Sequence, residues 1–467
     1  MKLFGGKRVD ATRGNMIKLI ILYSIPLILS TLIQSCFNAV DLIVLGNLAD
    51  STAVASVGAT TAIVHLFVNT FVGIASGAKI ILARQFGARD HEAITKTVNT
   101  VILTALGIGI LVAALGLPFS PELLHVTDCP EDCFTGARLY LGIYITAAPA
   151  ILLYNFGAAI LTSSGDSQRP MLYIIISGLV NVVLNVILCL LLPKDLSVIA
   201  VAIATATSQI VAAFLVLRRL CTMDGEARLV IRKIRFYWND FKQIMAQGIP
   251  LALSTALYPL ANLQIQSAIN AHGVAAVAGN SAAATLEGLS CGAISAPVSS
   301  TTTVFMGQNI GAHKTSRIKE SFWKCLMLGV FSCGLLGIIM YLTGNFWLSL
   351  FLPGDYEAIA FGKIRMFYVI LFYAIAAANG VLSHGIQAFG HASYSAIASI
   401  CCVFGFRMIW MWFIYPHFEN TSSSFHVLMA CFLASWTMLL FFNIFGFFYF
   451  RRKFYKQIVL DGHRLTV

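Results

Sequence analysis

The sequence predicts an all-α integral membrane protein with about 12 transmembrane helices, arranged as two six-helix lobes related by a pseudo-two-fold axis along the membrane normal. Three observations point there. Of the 467 residues 58% are hydrophobic and only 11% charged, with mean hydropathy +0.81, whereas a soluble domain carries roughly a quarter charged residues. Apolar runs of about 20 residues or more, enough to cross a hydrocarbon core, recur along the whole chain. Finally, the second half of the chain echoes the first.

Taken in order, a basic leader (1–15) with Lys7, Arg8 and Arg13 precedes an N-lobe over 16–220, whose spans are expected at 16–46, 54–83, 95–117, 136–162, 169–192 and 198–220. The first apolar segment is long enough to be a full span, so a cleavable signal is not expected. A polar loop at 221–240 is the one clear shift in composition. The C-lobe follows over 241–450, with spans expected at 241–270, 280–306, 319–343, 360–388, 393–416 and 426–450, and a basic tail occupies 451–467.

The echoes are specific. IPLILST from Ile25 returns as IPLALST from Ile249, RQFGARD from Arg84 as QNIGAHK from Gln308, and SSGDSQ from Ser163 more weakly as AFGHAS from Ala388. Segments repeated in one order at nearly constant spacing indicate internal duplication. Six spans per half start both halves on the same membrane side, which makes the repeats parallel.

The net charge of +11 reflects topology rather than nucleic-acid binding. Lys and Arg collect in the leader, in the loop from Arg218 to Lys242, around Lys314, Arg317 and Lys319, and at Arg451 to Lys453. The opposite loops hold Glu122, Asp128, Glu131, Asp132, Asp195, Asp355 and Glu419, so both termini are expected to be cytoplasmic. The 11 Cys show no metal-ligand spacing. Cys129 and Cys133, in TDCPEDC, leave open a disulfide if that loop is external.

Candidate site residues are the polar groups inside spans. Asp41 is the strongest, because a carboxylate at bilayer depth is costly unless it serves an ion or proton path. By helical rise Asp41 lies roughly 8 Å below the outer end of its span and Asn185 roughly 10 Å, with Asn181 one turn deeper, so the three can meet in the first lobe. Gln34, Asn38 and Asp41 share one helical stripe, Ser177, Asn181 and Asn185 a second, and Thr61, His65 and Asn69 a third. Each stripe suits either a lined cavity or bonding between helices. The C-lobe offers Asn262, Gln266 and Asn270, then Glu287, then Asn379, Ser383 and Gln387. Glu287 can pair with a helix neighbour or bind substrate, and Arg407 is expected to be buried against carbonyls or an acid. Pro26 shares a helix with Asp41 and is a hinge candidate.

With FNAVDLIVLGNL in the first helix, LTSSGDSQRPM between the fourth and fifth, SGLVNVVLNVIL in the fifth and the paired QFGA and QNIGA segments, the chain resembles the multidrug and toxic compound extrusion (MATE) family, closest to its DinF-like branch. In that branch a first-helix Asp works with fifth-helix polar residues in cation coupling; Asp41 and Asn181 match, while Asn185 stands where some members have an acid. The NorM-like branch uses a seventh-helix acid, and here Tyr258 stands near that place. The resemblance implies antiport, in which an inward ion drives an organic cation or other xenobiotic outward, with no cofactor beyond H⁺ or Na⁺ and a monomer as the default. Asp41 can exchange a proton, or Asp41 and Asn181 can offer oxygens to Na⁺, since hard cations favour such ligands. The alternative function is a lipid-linked precursor flippase of the same superfamily, which would be favoured by a strongly cationic central cavity or a lateral portal. The shortage of Arg and Lys within the spans argues against it. An enzyme is not expected, as neither HExxH nor a nucleophile-base ordering is present.

Overall fold

The computed structural model describes the backbone of residues 8–48, 51–127, 129–193, 196–225, 227–419 and 421–464, and omits the side chains of 38, 39, 41–43, 45, 47, 48, 51–53 and 459–464. Asn38 and Asp41 therefore lie outside the described side chains, as do Asp128 and Asp195. Among the described residues the regular secondary structure is helical. The helices are α1 (Met16–Leu48), α2 (Ser51–Ala88), α3 (His91–Gly116), α4 (Ser120–Val126), α5 (Glu131–Thr146), α6 (Ala148–Ser163), α7 (Gln168–Leu191), α8 (Ser197–Thr222), α9 (Trp238–Ala271), α10 (Val274–Glu287), α11 (Ala293–Gly311), α12 (Thr315–Leu342), α13 (Gly344–Phe351), α14 (Tyr356–Arg365), α15 (Tyr373–Ala388), α16 (Ala392–Ser399), α17 (Phe406–Ile409) and α18 (Ser424–Arg464).

Among the described residues ten helical spans are long and apolar enough to cross a membrane, and α5 with α6 makes an eleventh, bent by 48°. The span expected at 136–162 is this bent pair: Pro149 opens α6, and proline cannot supply the backbone donor that would carry α5 through. The span expected at 280–306 is the continuous helical run α10, a π turn at Gly288–Gly292, and α11. Its Ser, Thr and Asn content keeps it less apolar than the others, and most of α11 is buried in protein.

The chain forms two compact units, residues 1–10 with 25–248 and residues 11–24 with 249–467. The divisions fall at Ser24/Ile25 and Gly248/Ile249, immediately before the two IPL segments. The starts of α1 and α9 are therefore exchanged relative to the lobes expected at 16–220 and 241–450. The residues that pin them are duplicated. In the first unit Gln85 Nε2 donates to Thr97 Oγ1 (2.8 Å), which donates to Asp240 Oδ1 (2.7 Å). In the second, Asn309 Nδ2 donates to Ser321 Oγ (3.2 Å), which contacts Met16 Sδ (3.5 Å). Asn309, Ser321 and Asp240 each lie 224 residues after Gln85, Thr97 and Met16.

Backbone conformation repeats in the same way. Among the described residues the non-glycine residues with positive φ are Arg89 (56°) and His313 (53°), again 224 apart and each closing its GA-containing turn. Gly165 (φ 90°) and Gly390 (φ 79°) occupy the weaker pair of echoes. A Cβ on Gly165 would come within 2.1 Å of the Val9 carbonyl oxygen, and Val9 N–H bonds the Gly165 carbonyl at 3.0 Å, so glycine both permits the turn and lets the leader dock on it. In the second unit Arg317 and Asn309 hold the Ala11 carbonyl (2.9 and 3.2 Å).

Candidate functional site in the first unit

Five helices of the first unit and the α1 segment beside them enclose a cavity of about 420 Å³. Gln34 and Phe37 come from α1, His65 and Asn69 from α2, Tyr140 and Tyr144 from α5, Tyr154 and Asn155 from α6, Ser177, Gly178 and Asn181 from α7, and Thr205, Ser208 and Gln209 from α8. The stripes expected from helical spacing thus converge: Gln34, His65, Asn69, Ser177 and Asn181 all line one space. Thr61 instead bonds its own helix at the Val57 carbonyl (3.2 Å).

Asn185 is fully buried one turn beyond the lining, and its Nδ2 donates to Asn181 Oδ1 at 3.3 Å. Asn181 Nδ2 reaches Thr205 Oγ1 at 3.4 Å. The α7 stripe is thereby tied to α8 by amide and hydroxyl groups, the kind of bond that joins neighbouring membrane helices. Gly178 lets α1 approach, since a Cβ there would lie 2.0 Å from the Phe37 ring. Tyr140 and Tyr144 stack at 6.4 Å between centroids, so the wall is aromatic on one side and amide-rich on another. Such a surface can hold a flat organic molecule by its faces while offering oxygens to a cation. Among the described residues no three His, Cys, Asp or Glu side chains cluster as a metal site.

Sequence spacing did not single out Tyr140, Tyr144, Tyr154, Asn155, Thr205 and Gln209. Asn155 carried a usable signal, standing 224 residues before Asn379.

The C-lobe candidates are arranged differently. Glu287 Oε2 accepts from Arg365 Nη2 at 2.7 Å, and Arg365 Nη1 donates to Asn280 Oδ1 at 2.8 Å. Gln266 accepts from Asn280 (3.4 Å) and donates to Asn270 (2.9 Å). Asn262 Oδ1 accepts from Arg407 Nη1 at 2.7 Å. Asn379 is buried between helices, donating to the Trp436 carbonyl (2.8 Å) and accepting from Asn443 (3.1 Å). Ser383 and Gln387 bond Ser395. Arg365 joins Arg407 as a buried arginine of this unit, turned inward to Glu287 and Asn280. Pro26 lies within the continuous α1, two residues after the unit division.

The family model MatE matches residues 26–187 and 250–413, one match beginning at each duplicated proline. The chain belongs to the MatE family. Its relatives include the probable multidrug resistance proteins YpnP and YoeA of Bacillus subtilis (strain 168). YpnP is 25% identical over 82% of this chain and 85% of its own length, and YoeA 26% identical over 82% and 84%. The fold is similar to that of a solved MATE transporter in complex with MaL6, with a TM-score of 0.85 at 21% identity over 96% of this chain and 99% of that one. As a MatE protein it is a multi-pass membrane transporter of small molecules and not an enzyme. The two MatE matches coincide with the two sequence echoes, so the duplication read from IPLILST and IPLALST is that of the family.

Proposed function

We propose that this chain is a secondary active antiporter of a bacterial cell membrane, with both termini cytoplasmic. It exports organic cations and other xenobiotics in exchange for H⁺ or Na⁺ and belongs with the DinF-like branch of its family. The observation that carries this reading is the 420 Å³ cavity whose amide and hydroxyl lining comes from α1, α2, α7 and α8, the first of these being the helix that bears Asp41. In this reading the charge on that carboxylate acts on the lining that Asn181 shares, where Asn181 bonds Asn185 and Thr205. An ion bound there biases the balance between conformations only to the extent that it prefers one of them. Pro26, beside the unit division, is the point at which α1 can change shape in response.

The test is drug accumulation in cells expressing Asp41→Asn or wild-type protein at equal levels, followed by flux into liposomes under a pH gradient or a Na⁺ gradient imposed separately. Export that survives intact in the variant overturns the coupling role. The gradient that drives flux names the ion.

A further inference from the structure

We propose that the second unit contains a binding site for an anionic group, a carboxylate carried by an organic substrate, built on Arg407 and Arg365. This deepens the exporter reading and rests on it, assigning the residues that would take the acidic group of a substrate.

The argument starts from charge. Arg407 is fully buried and Arg365 nearly so (8% exposed), yet among the described residues they hold between them one carboxylate, Glu287, which belongs to Arg365. Among the described residues no carboxylate pairs with Arg407. Its Nη1 rests on the amide oxygen of Asn262, its Nε donates to Ser435 Oγ at 3.1 Å, and its Nη2 has no partner. The Nε of Arg365 is likewise unpartnered. Both guanidinium groups lie over the ring of Phe432, at 4.4 and 5.2 Å from its centroid, and Arg407 also lies 5.6 Å from that of Tyr258.

Ring faces and a neutral amide offset part of the cost of burying a guanidinium, but they do not neutralise it. A full positive charge at bilayer depth normally answers to a counter-charge. A carboxylate matches the unpartnered edge, because guanidinium presents paired donors to two oxygens.

Tyr258, Asn262, Gln266 and Asn270 share one stripe of α9; Asn262 covers Arg407, and Gln266 reaches Arg365 through Asn280. Asn262 and Gln266 are half-buried while Tyr258 and Asn270 are exposed, so the amide that covers Arg407 is not itself sealed in the core. An incoming carboxylate exchanges places with the Asn262 amide, a neutral acceptor giving way to a charged one.

The test uses full-length protein in nanodiscs and two dyes that differ by one methyl ester, rhodamine 110 (free carboxylate) and rhodamine 123 (its ester), read by fluorescence anisotropy. The readout is the ratio of rhodamine 110 affinity to rhodamine 123 affinity. Arg407→Gln is expected to lower that ratio about tenfold, the weight of one well-formed charge contact, and Arg407→Lys to lower it less. Glu287→Gln frees Arg365 and is expected to raise the ratio. Opposite signs in the two variants are what a purely structural role does not produce. A ratio that stays constant across all three variants overturns the site. Wild-type protein that binds rhodamine 123 but not rhodamine 110 overturns it while leaving export of cations standing, and protein that binds neither dye overturns both readings.

Discussion

Asn185 donates to Asn181 across 3.3 Å, one turn away on α7, and Asn181 in turn reaches Thr205 on α8. A side chain with both a donor and an acceptor is needed in the middle of that relay, and Asn181 supplies them. Asn181→Ala is expected to lower stability by about 1–3 kcal/mol, the cost of stranding buried polar groups, and to cut drug flux. Thr205→Val, which removes one long bond, should cost less than ~1 kcal/mol. Thermal unfolding of the purified variants, paired with liposome flux, checks both. Equal effects of the two substitutions would contradict the relay.

Gly178 stands where the Phe37 ring meets α7, with room for no further atom. The ring lines the cavity and can swing, whereas the backbone cannot. Gly178→Ala is therefore expected to push Phe37 into the cavity and weaken binding of bulky substrates while changing the unfolding temperature little. Binding isotherms for a large and a small dye separate this from general damage, because both weaken alike if the helices themselves have moved.

Gly279 tells the opposite story. A Cβ there would lie 2.1 Å from the Ala358 carbonyl oxygen and 2.8 Å from the Gly362 nitrogen, and backbone has nowhere to go. This close approach of α10 to α14 lets Glu287 reach Arg365. Gly279→Ala is expected to separate those helices and destabilise by at least the roughly 1–3 kcal/mol typical of overpacking. Gly107→Ala, with no atom within 4 Å of the added carbon, is the control and should be neutral or stabilising by up to ~1 kcal/mol. Thermal unfolding of the two variants decides.

Cys129 and Cys133 are both free thiols, with Sγ atoms 3.9 Å apart. The Cys129 thiol is pushed up by burial, then by its hydrogen bond to Cys133. Raised above its ordinary value, it holds less thiolate than an unfolded thiol at about pH 8, and the thiolate is the nucleophile. Alkylation of Cys129 by iodoacetamide is expected to be slower in the folded protein than in the unfolded chain. The difference should shrink as pH rises past both values, and Cys133→Ala, which removes the hydrogen-bond partner, should speed the reaction. Site-resolved mass spectrometry across a pH series measures this, and equal rates near pH 8 would refute it.

Much of this was legible along the chain. Gln34, His65, Asn69, Ser177 and Asn181 were readable because helical spacing marks which residues share a face. Tyr140 with Tyr144, and Thr205 with Ser208 and Gln209, also recur at helical spacing, but aromatic and hydroxyl residues suit lipid contact and helix packing as well as a cavity wall, so spacing alone did not separate them from packing residues. Arg365 was missed for a related reason: near the start of an expected span, a charged residue is ordinarily at the interface, and only the packing of α14 against α10 turns it toward Glu287. The bend between α5 and α6 had Pro149 as its sign, but proline permits a kink without dictating its size.

By itself the sequence determined that this is a duplicated, helical membrane protein with an acid-bearing first helix, because hydropathy, repeat spacing and helical period are properties of one dimension. Tertiary structure decided which faces meet. It joined five helices and the middle of α1 into one cavity, exchanged the starts of α1 and α9 between the units, and in the second set Arg365 against Glu287 and Arg407 against Asn262. Those outcomes depend on which helices touch, and contact between distant segments is an energy that no local pattern carries.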